Sequence, residues 1–239
     1  SDNSTGVARE SSITINFSEA IQNADGTEIT DTTVDLIIIL KDADASGSDI
    51  AFDATINDSK TVITIDPVSD LYYDQTVYVA IPANHVENID GVELEALVGA
   101  TFTTVVVTPT IPSGSGIETD PYLIANLENL YWLSQSSANW NKHYKQTTNI
   151  DASFFNFSPI GNTNTRFTGS YNGDGHTING LNINRPDTDY IGLFGYNISS
   201  TIKDLGVTNV KISIRFRRKS SDYPTPKFAG AVIVSDYST

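Results

Sequence analysis

Hydrophobic residues in the first part of the chain recur at every second position, in short runs. Ile13, Ile15 and Phe17 alternate with Thr14 and Asn16, the period that turns one face of a strand toward a core. Leu36 to Leu40 is apolar without a break and predicts a strand buried on both faces. Phe52, Thr55–Ile56, Val62–Ile65, Val77–Ile81 and Thr101–Val107 predict further strands. Between the runs stand turn-forming pairs at Asp25-Gly26, Ser46-Gly47, Asn57-Asp58 and Asp90-Gly91. Seven or so short strands in roughly 100 residues, without helical periodicity, predict a Greek-key β-sandwich.

The pattern changes after Thr108. Thr108 to Gly116 is a Pro/Gly/Ser stretch that reads as a linker, a composition that favours neither helix nor strand. Leu127 to Gln135 has a single apolar face (Leu127, Leu130, Tyr131, Leu133) and predicts a short helix with Asn126 as its N-cap, best placed as a lid over an open sheet end. Beyond it, Thr177-Ile178-Asn179-Gly180-Leu181-Asn182-Ile183 returns, twenty-four positions on, as Thr201-Ile202-Lys203-Asp204-Leu205-Gly206-Val207. A period in the twenties predicts stacked coils, with Ile178 under Ile202 and Leu181 under Leu205. A third coil is predicted to begin at Phe228 to Val232, after an insertion around Ser213 to Pro226. An unfinished coil would expose a sheet edge, so the chain reads as part of a longer one.

Two family resemblances follow from ordered motifs. Thr5-Gly6-Val7, Ile13 to Ala20, Thr61 to Pro67 running on through Leu71 to Tyr78, and Val86 to Gly91 together resemble the bacterial Ig-like domains of the surface-layer protein type, over about residues 4–105. Ile191 to Tyr196 followed by Thr201 to Val207 resembles the GLUG repeat. Asp120 to Ile124, Asn149 to Ala152, Pro159 to Gly161, Phe167 to Gly169 and Asn172 to Ile178 are similar to its usual lead-in. With these resemblances the expected fold class is all-β. It comprises an Ig-like Greek-key β-sandwich over 1–108, a linker over 109–116, and over 117–239 the N-terminal part of a right-handed parallel β-helix with one short capping helix.

Charge sharpens the division. Residues 1–108 hold nineteen Asp/Glu against Arg9, Lys41 and Lys60, a net of 3 − 19 = −16, whereas residues 109–239 hold ten acids and eleven bases, a net of +1. A domain at −16 repels phosphates and anionic lipid, which sets nucleic acid aside as its partner. No apolar run is long enough to predict a membrane-spanning helix. The absence of Cys excludes disulfides, Cys-ligated zinc and thiol catalysis. The chain opens at Ser1 and holds no Met, so it reads as less than a complete translation product, consistent with removal of a leader.

Candidate chemistry is sparse. Asp42, Asp44, Ser46, Asp49 and Asp53, with Gly47 between them, imitate the ligand spacing of a calcium loop. Strands rather than helices flank it, which favours a polar hairpin whose Asp and Gly serve turn geometry. No other cofactor is indicated. Arg215, Arg217, Arg218 and Lys219 form a basic run able to contact an acidic polymer, or to serve as a solvated loop face. Asp174, Asp187, Asp189 and Asp204 are the carboxylates an acid/base site would use, but no two of them are one repeat period apart, so the assumed period builds no ladder of them. Tyr122, Tyr131, Trp132, Trp140, Tyr144, Phe154, Phe155 and Phe157 could stack sugars, though aromatics more often fill a small core. His85, His143 and His176 are too widely spaced to suggest a metal site.

The resemblances imply a non-catalytic module of a large secreted bacterial surface protein, at the cell surface or outside the cell. The sandwich would be a spacer, and the solenoid a stalk or binding platform for a glycan or protein ligand. The alternative is an ancillary or carbohydrate-binding region of a secreted polysaccharide- or protein-degrading enzyme whose catalytic domain lies outside these residues.

Overall fold

In the computed structural model the chain separates into two compact units, Ser1–Val106 and Val107–Thr239. The structure describes residues 3–94, 97–185, 188 and 190–213. Among these the chain is mostly β, with one α-helix.

The first unit contains β1 (Ser4–Val7), β2 (Ile13–Asn16), β3 (Ile21–Asn23), β4 (Ile39–Asp42), β5 (Phe52–Ile56), β6 (Val62–Pro67), β7 (Thr76–Ile81), β8 (Val86–Asn88) and β9 (Leu97–Thr104). They form a four-stranded sheet in the order β1-β9-β7-β4, a three-stranded sheet β2-β6-β5 and a ribbon β3-β8. Pairing is antiparallel except between β1 and β9, which run parallel. The alternation read from sequence sets the faces. Ile63 and Ile65 of β6 are fully buried while Asp66 is exposed. They share one aliphatic core with Leu40, Val77, Val79 and Ile81 of the other sheet. Burying each such side chain contributes about 1.5–3 kcal/mol.

The run Leu36 to Leu40 is not one strand. Val34–Ile37 is a 3-10 turn and only Ile39–Asp42 joins a sheet, leaving Leu36 78% exposed. The cause lies in the acids within and before the turn. Asp35 Oδ1 accepts the N–H of Ala54 and Asp31 Oδ1 that of Ile56, each at 2.9 Å. These carboxylates saturate backbone donors of β5 that another strand would otherwise have to meet. The apolar content of the run is still used, because Val34, Ile37, Ile38 and Leu40 are buried on either side of the bend.

The second unit contains β10 (Tyr122–Ile124), α1 (Leu127–Gln135), β11 (His143–Gln146), β12 (Ile150–Asp151), β13 (Ser170–Asn172), β14 (Thr177–Asn179), β15 (Asn182–Asn184), β16 (Thr201–Lys203), β17 (Gly206–Thr208) and β18 (Lys211–Ser213). Every named strand pair is parallel, in three sheets: β10-β11-β13-β16, β12-β14-β17 and β15-β18. Tyr122, Tyr144, Tyr171 and Ile202 stand in one row, at sequence offsets that lengthen from each layer to the next. Ile150, Ile178 and Val207 form a second row, at offsets of 28 and 29. Ile183 and Ile212 form a third, at an offset of 29.

These registers correct the 24-residue period. Ile178 lies beside Ile150 and Val207, and Ile202 beside Tyr171, so the two copies of the Thr-Ile motif belong to different sheets. What the copies share is a corner. Each is a strand, a left-handed residue (Gly180 at φ +70°, Asp204 at φ +52°) and a second strand. Gly180 has a further constraint, since a Cβ there would lie 2.0 Å from Ser153 Oγ. The motif therefore marks a way of turning, used at two corners, rather than one position in successive layers.

Residues 110–116 also differ from a free linker. Thr110 N–H donates to Glu128 O, Asn129 Nδ2 donates to Thr110 O, and Ser113 bridges Leu123. The predicted helix is present over Leu127–Gln135, and Asn126 accepts the N–H of Asn129 as its cap. It follows β10, the terminal strand of its sheet, and meets the body through Tyr131–Phe155 and Trp132–Tyr122 ring contacts. The predicted third coil at 228–232 and the insertion at 213–226, beyond Ser213, lie outside the described residues.

Candidate functional site

The segment from Asp42 to Asp49 is a hairpin tip. Asp42 N–H donates to Ser48 O, Ile50 N–H donates to Leu40 O, and Lys41 bridges Asp49. Each side chain proposed as a calcium ligand is placed by a protein partner or by its strand. Asp44 Oδ1 accepts from Ser46, N–H at 2.8 Å and hydroxyl at 2.6 Å. The Ser46 hydroxyl and then its N–H hold the Asp44 carboxyl below the usual carboxylate range. Asp49 pairs with Lys41 Nζ at 2.8 Å, and Asp42 Oδ1 accepts from Gln75 Nε2 at 3.0 Å. Asp53 sits in β5 opposite Asp66, outside the tip. Among the described residues no group of three or more His, Asp or Glu side chains is arranged to hold a metal ion.

A pairing of acids that the 24-residue period hid is present in the second unit. Asp174 and Asp204 both have left-handed backbone, at φ +51° and +52°. Gly173 N–H donates to Lys203 O and Gly175 N–H to Asp204 O, so the two acids occupy one corner of neighbouring layers. Only the strand registers, with Asn172 beside Lys203 and Thr177 beside Gly206, bring the two acids to one corner. Each acid has a lysine nearby, Lys145 for Asp174 at 3.0 Å and Lys203 for Asp204 at 4.0 Å. Both carboxylates are open to solvent, with side-chain exposures of 44% for Asp174 and 60% for Asp204. Asp187, Asp189, Arg215, Arg217, Arg218 and Lys219 lie outside the described residues.

A set of asparagine contacts was also missed. Asn149 Oδ1 accepts the N–H of Thr177, and Asn156 Oδ1 that of Asn184, at 2.9 and 3.0 Å and each across 28 residues. Asn179 Oδ1 accepts from Thr208 Oγ1 and Asn209 Nδ2 in the following layer. These amides fasten one layer to the next at the corners, where strand ladders stop.

Half of the aromatic set is interior. Trp140, Tyr144, Phe155 and Phe157 are buried, while Tyr122, Tyr131, Trp132 and Phe154 are half-buried. Tyr171 OH donates to Gln146 Oε1 at 3.0 Å, Gln146 Nε2 donates to Thr177 O at 3.0 Å, and Trp140 Nε1 donates to Leu133 O at 2.8 Å. Burial pushes the Tyr171 phenol well above its ordinary range, and burial followed by the nearby Tyr122 does the same for Tyr144. Of the histidines, His143 Nδ1 shares a 2.8 Å hydrogen bond with Ser170 Oγ, and His85 Nδ1 bonds Ala83 O within its own turn.

Residues 1–104 match the family model of a bacterial Ig-like domain. The chain is 34% identical over 114 residues to Halomucin of Haloquadratum walsbyi, a match covering 42% of this chain and 1% of that protein. It is 30% identical over 134 residues to a protein of Evansella cellulosilytica named "Putative Gly-rich membrane protein", covering 52% of this chain and 14% of that one. The chain thus spans a small part of each of these two relatives.

Proposed function

We propose that the chain is a non-catalytic module of a large secreted protein displayed at the bacterial cell surface, in which the first unit is a spacer and the second a stalk or binding platform. The observation that carries this reading is the all-parallel pairing of the second unit, in three sheets whose rows repeat layer after layer. Stacking of that kind extends a body along one axis, each layer contacting only its neighbours. On this reading the second unit is a β-solenoid of the GLUG-repeat type, right-handed as strand–crossover–strand connections are, with α1 closing its first layer.

Other features support the same role. The Ig-like match over residues 1–104, and relatives of which the chain spans 1% and 14%, suit one module among many in a long chain. Among the candidate acids, Asp49 and Asp174 face lysines and Asp44 is held by its own turn, which suits a surface built for solubility and spacing. The presented ligand would be a glycan or a protein.

Proteolytic shaving of intact producing cells tests the location. Release of peptides from both units without lysis is the expected result. Retention of both units inside cells would overturn the reading, and a catalytic domain within the same polypeptide would favour an ancillary role in an exoenzyme.

A further inference from the structure

We infer that the second unit binds carboxylate-bearing sugars, the residues of an acidic polysaccharide, at a wall formed by Arg166, Tyr190 and Tyr196. The inference deepens the binding-platform reading and rests on it for its biological use. Ile160 lies beside Phe194 and Phe167 beside Asn197, both in parallel pairing. The two ends of the loop 161–166 are thus set against Gly195 and Tyr196 of the next layer. Tyr196 is clamped from both ends. Its N–H donates to Gly161 O at 3.2 Å, and its carbonyl accepts from Phe167 N–H at 2.9 Å. The approach requires Gly161, at φ +83°, where a Cβ would lie 2.1 Å from Tyr196 O. Within the loop, Asn162 Oδ1 accepts the N–H groups of Asn164 and Thr165, and Asn162 N–H donates to Thr165 O. Arg166 therefore leaves a turn that is itself fixed.

On this frame the Tyr190 and Tyr196 rings stack, with centroids 4.6 Å apart and planes 11° from parallel. Arg166 Cζ lies over the Tyr196 ring, 4.9 Å from its centroid, within cation–π range. Both tyrosines are half-buried and Arg166 is exposed. Among the described residues no acid pairs with Arg166. Stacking fixes the guanidinium plane, so little side-chain freedom is lost when its fork of N–H donors meets a carboxylate. Phenol rings beside that fork suit a pyranose, whose polarised C–H groups are drawn to the negative face of an aromatic ring. Thr163, Asn164 and Thr165 are exposed in the same loop and offer hydroxyls and an amide to a hydroxyl-rich ligand. The large hydrophobic side chains exposed among the described residues lie elsewhere, so the wall lacks the apolar anchors of a protein interface.

The test is calorimetric titration of the full chain with galacturonate oligomers. Salt is held at about 0.15 M, where exposed charges beyond about 8 Å are screened. Methyl-esterified oligomers keep the sugar ring and lose the charge, and polyglutamate carries the charge on a peptide. The expected result is saturable binding of the acid form, weakened roughly tenfold or more by esterification or by Arg166→Gln. Arg166→Lys keeps the charge without the fork and should fall between. Tyr190→Leu should weaken acid and ester alike. Lys211→Gln removes a positive charge from another exposed position and should leave binding unchanged. Melting curves check that each variant folds. No binding, equal affinity for acid and ester, or equal loss in Arg166→Gln and Lys211→Gln would overturn the inference. Polyglutamate binding as tightly as the sugar would overturn it in favour of an acidic protein. Failure here leaves the cell-surface location untouched, and retention of the chain inside cells would leave the measured affinity intact, so the two can fail separately.

Discussion

The two units bury apolar surface through opposite pairing schemes. In the first, antiparallel sheets bring residues distant in sequence together, and an aliphatic core of Ile, Val and Leu with Phe102 fills the space. In the second, parallel stacking sets like positions over one another, so rings gather in contact: Tyr144–Phe167 at 6.1 Å, Phe167–Phe194 at 5.0 Å and Tyr171–Phe194 at 5.4 Å. The charge follows neither core. It lies at −16 on the turns and outer faces of the first unit and near zero on the second. A sandwich has one core in which every residue depends on all others, while a stack has an interior graded from layer to layer. Tyr171, Ile178 and Ile183 are fully buried, whereas their partners in the last described layer, Ile202, Val207 and Ile212, are half-buried.

That gradient gives the largest expected effect. Ile178→Ala should cost the second unit about 2–5 kcal/mol and Ile202→Ala clearly less, because the lost contacts and the cavity both scale with burial. Ile63→Ala in the first unit should match Ile178→Ala in size. Urea unfolding followed separately for the two units is the measurement. Equal costs at Ile178 and Ile202 would remove the layer-by-layer picture.

The next effect separates the units by pH. Tyr144 and Tyr171 have folded values raised above the ordinary phenol value. Their contribution is therefore complete below about pH 10 and is lost as pH rises past it, since the unfolded chain ionises first. The second unit should melt at progressively lower temperature above about pH 10, with phenolate absorbance appearing only as it unfolds. Tyr171→Phe should blunt this response and cost about 1–3 kcal/mol at neutral pH, because Gln146 Oε1 loses its donor in a dry site. Phenolate absorbance rising before unfolding would place these rings in contact with water.

Salt should act in the other unit and more weakly. Each of its three cations is paired, Arg9 with Glu10 and Asp70, Lys41 with Asp49, and Lys60 with Glu28, so most of the acids repel one another uncompensated. Raising salt toward about 1 M shortens the screening length to about 3 Å. The first unit should gain on the order of 1 kcal/mol relative to the second. Replacing calcium with chelator at constant ionic strength should leave its melting temperature unchanged, and a fall abolished by Asp44→Ala would restore the calcium loop.

Strand existence was legible in the first unit because period-two burial writes itself directly into sequence, as at Ile13–Ile15 and Ile63–Ile65. β1, β3 and β8 escaped notice because Ser4–Val7 has no alternate burial and Ile21–Asn23 and Val86–Asn88 are too short to show a period. The helix and its Asn126 cap were legible because capping is local chemistry. The layer offset of the second unit was not. Its strands are mostly three residues long and its corners share one local solution, so the clearest sequence echo tracked corner shape. The Asp174–Asp204 column could be seen only once the layer offset was known.

The smallest expected effect bears on the Leu36–Leu40 run, which sequence read as a single strand. An unbroken apolar run carries no period, so it cannot report a bend within it. Leu36 projects from the 3-10 turn at 78% exposure, while Ile38, two residues on, is 7% exposed. Leu36→Asn should therefore change stability by less than about 0.5 kcal/mol, as surface substitutions do. Ile38→Asn, which forces a polar amide into the aliphatic core, should cost several-fold more. Asp35→Ala should fall between them at roughly 1 kcal/mol, since it leaves the Ala54 N–H to find water at a partly open edge. The three variants, compared by thermal melting of the first unit, test whether carboxylates rather than a strand close the edge of β5. A cost at Leu36 equal to that at Ile38 would return the run to a strand buried on both faces.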